Sequence, residues 1–275
     1  MTLNIKGGLF NQSDVRETIT NTEETSVAWN LAYVRYVQRF DTTLAGVLRG
    51  LFISDNGEHI YLVREDGAVS SVYQYDLSTA WDISPASLNQ ALDVSGREAT
   101  VRGIHFNPEG TKMYTAGPSG DSIDEYNLST AWDISTAVYS QEYSLNTAQG
   151  LFFRPDGKQM IVGRGGANSI QSYALTTAWD VSTAESTTDL AFNASEDIHV
   201  SRAGCYLFVV ASGTTVHRYA MTTVYNIATA AADTTYEVAP TGNIKGITFN
   251  SNGTKMYLLV GTYIQEYTLK RGWRS

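Results

Sequence analysis

The chain of 275 residues has a single cysteine, Cys205, so no disulfide forms within it and a cysteine-type zinc site is excluded. Cations are scarce: 19 Lys and Arg stand against 28 Asp and Glu, giving a formal net charge of −9. A surface of that sign repels polyanions, so no nucleic-acid partner is expected. No apolar run reaches the ~18 residues of a membrane span, and no membrane insertion is expected. The opening MTLNIKGGLFNQSD lacks the charged-then-apolar layout of a signal peptide. Work outside a cell would then follow release by another route, such as lysis. GxSxG, HExxH, Walker and EF-hand patterns are missing as well. The glycine-rich string Gly163–Ser169 falls in a hairpin turn, a poor phosphate cradle. No cofactor and no metal are expected.

What is present is repetition. YDLSTAWDIS at Tyr75–Ser84 returns as YNLSTAWDIS at Tyr126–Ser135 and YALTTAWDVS at Tyr173–Ser182. A divergent copy, YAMTTVYNIA, begins at Tyr219, and YTLKRGWRS runs from Tyr267 to the C-terminus. Six residues after each tyrosine stands an aromatic: Trp81, Trp132, Trp179, Tyr225 and Trp273. Each repeat opens on a mostly apolar run that ends in a glycine turn, with Gly57, Gly110, Gly157, Gly204 and Gly253 in register. Second strands follow (HIYLV, KMYTA, QMIVG, YLFVV, KMYLLV), and Cys205, at the head of CYLFVV, reads as a small buried hydrophobe. Third strands are SVYQYDL, SIDEYNL, SIQSYAL, TVHRYAM and YIQEYTL; the WDIS loop leads to outer strands such as NQALDV, YSQEYSL and TTYEVA. Four short strands at a pitch of 47–53 residues describe the blade of a β-propeller. The loop aromatics are expected to wedge between neighbouring blades, where a large flat group buries most area.

The two ends of the chain fit together. The last unit stops after three strands, while AWNLAYVRYVQRFDTT at Ala28–Thr43 resembles a WDIS loop and an outer strand with nothing before it. Trp29 lies 21 residues ahead of Gly50, an interval that is 22, 18, 18 and 21 in the complete units. The two fragments make one blade, and the expected fold is an all-β, five-bladed β-propeller closed by an N-terminal outer strand on the C-terminal three. The organisation expected is a polar arm, residues 1–28, for anchoring and assembly, followed by the propeller, residues 29–275.

Chemistry is harder to find. Hydrolysis of a glycoside needs two carboxylates, yet Asp197 is the only acid at an inner-strand opening. The turn acids Asp55, Glu109 and Asp156 are expected about 20 Å apart. The protein is therefore read as a non-enzyme, with no catalytic residue. His105 and His199 occupy one position in alternate repeats, where Phe52 and Phe152 stand in others, and read as packed residues. One constellation remains: Arg49, Arg102, Gln149, Glu196 and Lys245 each precede a blade opening. Five inner strands would carry them round one channel mouth, able to hold an anion or a sugar acid. Tyr73 and Tyr139 are candidate sugar-stacking platforms.

The run Gly103–Tyr114, GIHFNPEGTKMY, followed by Tyr126–Thr136 resembles the repeats of propeller-like proteins of tailed bacteriophages, in virion and tail-fibre settings. The resemblance covers residues 29–275 and fades in the fourth unit, where YNIA replaces WDIS. It implies a non-enzymatic virion component of tail, fibre or capsid decoration, bound to other virion proteins through residues 1–28. Contact with a host-surface glycan is a further expectation. The alternative weighed is a free lectin-like propeller; a glycoside hydrolase ranks behind it.

Overall fold

The WDIS loop sets the geometry of each blade. Its aromatic takes a left-handed backbone, with φ from 57° to 65° at Trp29, Trp81, Trp132, Trp179 and Tyr225. The Asp or Asn that follows turns the chain: Asp133 Oδ1 accepts from Ser135 N at 3.0 Å, and Asp82, Asp180, Asn30 and Asn226 do the same in their own loops. A buried aliphatic comes next (Leu31, Ile83, Ile134, Val181 or Ile227). Threonines close the loop, as where Thr130 N donates to Thr136 Oγ1 at 3.1 Å. Beneath the aromatic lies the turn glycine of the same blade. A Cβ on Gly110 would stand 2.2 Å from the Trp132 ring, so the indole rests on bare backbone.

In the computed structural model, residues 29–67, 69–165, 167–192, 195–211, 213–238 and 242–269 are described. They form five four-stranded antiparallel sheets in a ring, a five-bladed β-propeller. Blade 1 comprises Val47–Ile53, His59–Asp66, Val69–Asp76 and Ser87–Asp93. Blade 2 comprises Gly103–Phe106, Lys112–Gly117, Ser122–Leu128 and Ala137–Ser144; blade 3, Ala148–Phe153, Gln159–Arg164, Ser169–Leu175 and Ala184–Ala191. Blade 4 comprises Ser195–Val200, Tyr206–Ala211, Thr215–Met221 and Ala230–Glu237. Blade 5 takes Ile244–Phe249, Lys255–Val260 and Tyr263–Leu269 from the end of the chain and Val34–Asp41 from its front. Val34 faces Leu269 and Asp41 faces Tyr263, the head-to-tail closure expected from the two fragments.

The blade-5 aromatic slot belongs to Trp29, whose N donates to Gly253 O at 2.9 Å and whose ring covers Gly253. The sequence offers Trp273 for the same slot; Trp273, like the arm 1–28, lies outside the described residues. Cys205 sits half-buried in the turn ahead of its strand rather than in the apolar run.

The apolar core is divided into five, one between each pair of facing sheets. Phe52, Tyr61 and Val72 of blade 1 meet Ile104, Phe106 and Met113 of blade 2, and the pattern repeats round the ring. Polar bonds join the same faces. Tyr61 Oη donates to Trp132 O at 2.6 Å, Tyr114 Oη to Trp179 O at 2.8 Å and Tyr257 Oη to Trp81 O at 2.7 Å. Where the tyrosine is replaced by Ile161 or Phe208, another strand residue supplies the donor. Gln159 Nε2 reaches Tyr225 O at 2.9 Å, and Arg218 Nη1 reaches Trp29 O at 2.7 Å.

A second bridge runs farther out. Every outer strand carries one bulged residue (Val37, Asn89, Ser140, Thr187 or Asp233), and in three blades a glutamine follows the bulge. Gln38, Gln90 and Gln141 each donate to the loop aspartate of the next blade, Asp82, Asp133 and Asp180, at 2.9, 2.7 and 2.7 Å.

Candidate functional site

The inner strands surround an axial channel, and their two ends differ. At one end Arg49, Arg102, Gln149, Glu196 and Lys245 come together as the register requires. Four of them sit where the inner strand bulges: pairing skips from Leu48 to Leu51, from Ala148 to Leu151, from Ser195 to Asp197 and from Ile244 to Gly246. A bulge re-aims its side chains, here toward the mouth and toward one another. Glu196 accepts from Lys245 Nζ at 2.7 Å and lies 3.7 Å from Arg49 Nη1, while Arg49 Nε also meets Glu65 at 2.9 Å. Gln149, its amide turned to suit both neighbours, donates to Ser195 O at 2.5 Å and accepts from Arg102 Nη1 at 2.6 Å. Arg102 Nε is buried without a partner. Three cations thus share the mouth with two carboxylates, and most of the positive charge is met from within the ring.

The opposite end widens into a funnel of about 770 Å³, measured out to open solvent. Its floor is a collar of five equivalent residues, Phe52, His105, Phe152, His199 and Thr248. Around the collar Phe52 and His105 lie 5.0 Å apart between ring centroids, His105 and Phe152 5.5 Å, and Phe152 and His199 5.6 Å. Burial among these rings holds both imidazoles well below the ordinary histidine value, and the repulsion that two protonated rings would feel lowers His199 further. Each ring nevertheless keeps part of its surface open to the channel. His105 Nδ1 is buried with no hydrogen-bond partner. Among the described residues, no three His, Cys, Asp or Glu converge on a metal position.

Two carboxylates line this funnel. Asp197 replaces the glycine found at its position in the other blades (Gly50, Gly103, Gly150 and Gly246), and its side chain lies between the inner strands of blades 4 and 5. Oδ2 accepts from Ile247 N and Oδ1 from Ile198 N, both at 2.9 Å. Burial pushes its carboxyl up to about 8 against the pull of those two N–H groups. Asp55 stands at the rim, where Arg202 Nη1 lies 3.9 Å from its Oδ2. Its pKa is also raised, first by burial, with Arg202 lowering it and Glu109 adding to the rise.

Sequence reasoning took Asp55 only as a turn acid and passed over the rest of the rim. Asp55, Pro108, Pro155, Arg202 and Ser251 form one column of the aligned repeats, and variation within that column was the available signal. Tyr73 and Tyr139 are not bare platforms: the guanidinium of Arg64 lies 5.7 Å from the Tyr73 ring and that of Arg97 3.6 Å from the Tyr139 ring.

No family model matches the chain, and no curated protein matches it. Solved structures do match, 1285 chains in all, which suits a widely used architecture. A functionally unknown protein from Desulfotomaculum acetoxidans is similar over 82% of this chain and 72% of its own, at 12% identity and a TM-score of 0.48. The hydrazine synthase of Kuenenia stuttgartiensis is similar over 82% of this chain at 16% identity and a TM-score of 0.50. This chain spans 58% of that protein, and the likeness is one of fold.

Proposed function

We propose that the ring is a non-enzymatic structural protein of a tailed-phage virion, part of the tail, a fibre or the capsid decoration, made in the host cytoplasm. The observation that carries this reading is the use made of the repeated residues. The aromatic carbonyls and loop aspartates of YxLSTAWDIS are engaged by the next blade, through Tyr61, Tyr114, Gln90 and Gln141 among others. The most strongly repeated part of the sequence is thus committed to rigidity rather than to chemistry. Closure by the N-terminal strand covers the edge of Tyr263–Leu269 and ties the two ends of the ring together, which suits a displayed part exposed outside the cell without disulfides. Residues 1–28 are the proposed link to other virion proteins, and the outward ring is what a host surface would meet.

Mass spectrometry of purified particles tests the proposal. The chain is expected in fixed ratio to tail and capsid proteins, and its absence from particles that contain those proteins would sink the reading. A chain lacking residues 2–28 is expected to fold and to stay free when particles assemble. Continued incorporation would remove the arm from the proposal.

A further inference from the structure

The funnel has a wall chemistry that selects among guests. Trp29, Trp81 and Trp179 line it, but one face of each indole is covered by the turn glycine of its own blade. Trp81 is also stacked on Tyr257 and Trp179 on Tyr114, with ring planes 27° and 28° apart. Trp29 packs against Phe208 and Phe249. The faces are largely taken, which leaves ring edges toward the lumen. At the floor Phe152 meets its two histidine neighbours at 80° and 68°, again edge to face. Aromatic edges carry the positive part of the ring quadrupole and prefer the electron-rich face of another aromatic. A pyranose, which lays its C–H face on an open aromatic face, finds few such faces here.

Asp197, Asn250 and Ser251 also line the funnel, Asp197 with both carboxyl oxygens already bonded to backbone N–H groups; the polar groups of the collar itself are fewer. His105 and His199 stand at the collar, and the protein gives His105 Nδ1 no partner. That nitrogen is buried, so a guest meets the part of each imidazole left open to the funnel. Thr248 completes the collar with a hydroxyl. The charged rim pair, Asp55 and Arg202, is matched within itself.

We propose that the funnel is a binding site for a small, flat, uncharged aromatic ring bearing a hydroxyl or N–H, which enters with that polar group leading and bonds to the collar imidazoles. The inference is independent of where the ring is displayed. Two neutral imidazoles suit it, since a protonated collar would turn the site toward anions.

The test is ¹⁹F NMR titration of the full chain with 4-fluorophenol, fluorobenzene and 2-fluoro-2-deoxyglucose as probes. Saturable broadening is expected for 4-fluorophenol, a weaker effect for fluorobenzene and none for the sugar. The double variant His105→Phe, His199→Phe places at both positions the residue that blades 1 and 3 already have, so the fold is expected to be kept. It should weaken 4-fluorophenol about tenfold, the value of one hydrogen bond, while leaving fluorobenzene unchanged. Thr248→Trp fills the collar and should abolish both; thermal melting of each variant checks that it folds. Equal binding of 4-fluorophenol to the wild type and the double variant would overturn the imidazole role. Saturable sugar binding without aromatic binding, or no saturable binding of either aromatic, would overturn the site.

Discussion

Gly110 has φ +69°, and a methyl group added there would lie 2.2 Å from the Trp132 ring. Both effects act in one direction, because a left-handed alanine is strained and the indole has no room to retreat. Gly110→Ala is expected to cost about 2–4 kcal/mol in urea unfolding; an unchanged midpoint would mean that the loop repacks freely. Asp197 gives a pH signature. Its native pKa, about 8, lies above its unfolded value near 3.9, so the folded chain holds a proton that the unfolded chain has lost. The stability it contributes is complete below pH 4 and is lost as pH rises toward 8. His105 and His199, with lowered values, work in the opposite sense until their unfolded-state imidazoles have lost their protons, about one pH unit above 6.5. Between pH 6.5 and 8 the stability of the wild type relative to Asp197→Asn should therefore fall, since the histidine contribution is common to both chains. Parallel melting curves across that window would contradict the buried-acid account.

At the scale of elements, the blade joints explain which letters of the motif are repeated and which substitutions travel together. Tyr61, Tyr114 and Tyr257 donate to the aromatic carbonyl of the next blade; where Ile161 and Phe208 break the column, Gln159 and Arg218 make the bond from another position. Arg218 also holds Asp233, through Nε at 2.8 Å. Arg218→Met keeps the aliphatic stem but leaves Trp29 O unpaired at the joint that closes the ring. A loss of about 2 kcal/mol is expected, discounted because Asp233 remains partly hydrated. Hydrogen exchange should locate the loosening in Val34–Asp41 and its neighbours, and exchange that speeds evenly in all blades would argue against a local joint. The glutamine bridges were hidden in the sequence, because the side chain reaches the next blade only after a bulge shifts it. A bulge leaves no fixed residue type behind: Val37, Asn89 and Ser140 hold the same place.

The whole molecule depends on a strand contributed from the far end of the chain. A chain lacking residues 2–28 should remain a folded monomer, because Trp29 and Val34–Asp41 are still present to complete blade 5. One lacking residues 2–41 loses the aromatic over Gly253 and opens the edge of Tyr263–Leu269 to pairing. Light scattering should find the first monomeric and the second self-associated with a lower melting temperature; a monomeric, equally stable second truncation would show that closure is dispensable.

The ring itself was written locally. Spacing between Tyr, Trp and turn Gly, repeated with small changes, specifies strand lengths and left-handed positions, and an incomplete unit at each end specifies how the circle closes. Those features arise from residues near one another in the chain, so the sequence by itself determined them. The mouth was legible as a column of polar residues, but its internal pairing was not, since Glu196 meets Lys245 and Arg49 only across neighbouring and more distant blades. The same holds for the funnel: Asp55 and Arg202 are 147 positions apart and face each other because the inner strands converge on an axis. Only the tertiary structure decided these contacts, because they depend on radial distance between blades, which no spacing along the chain encodes.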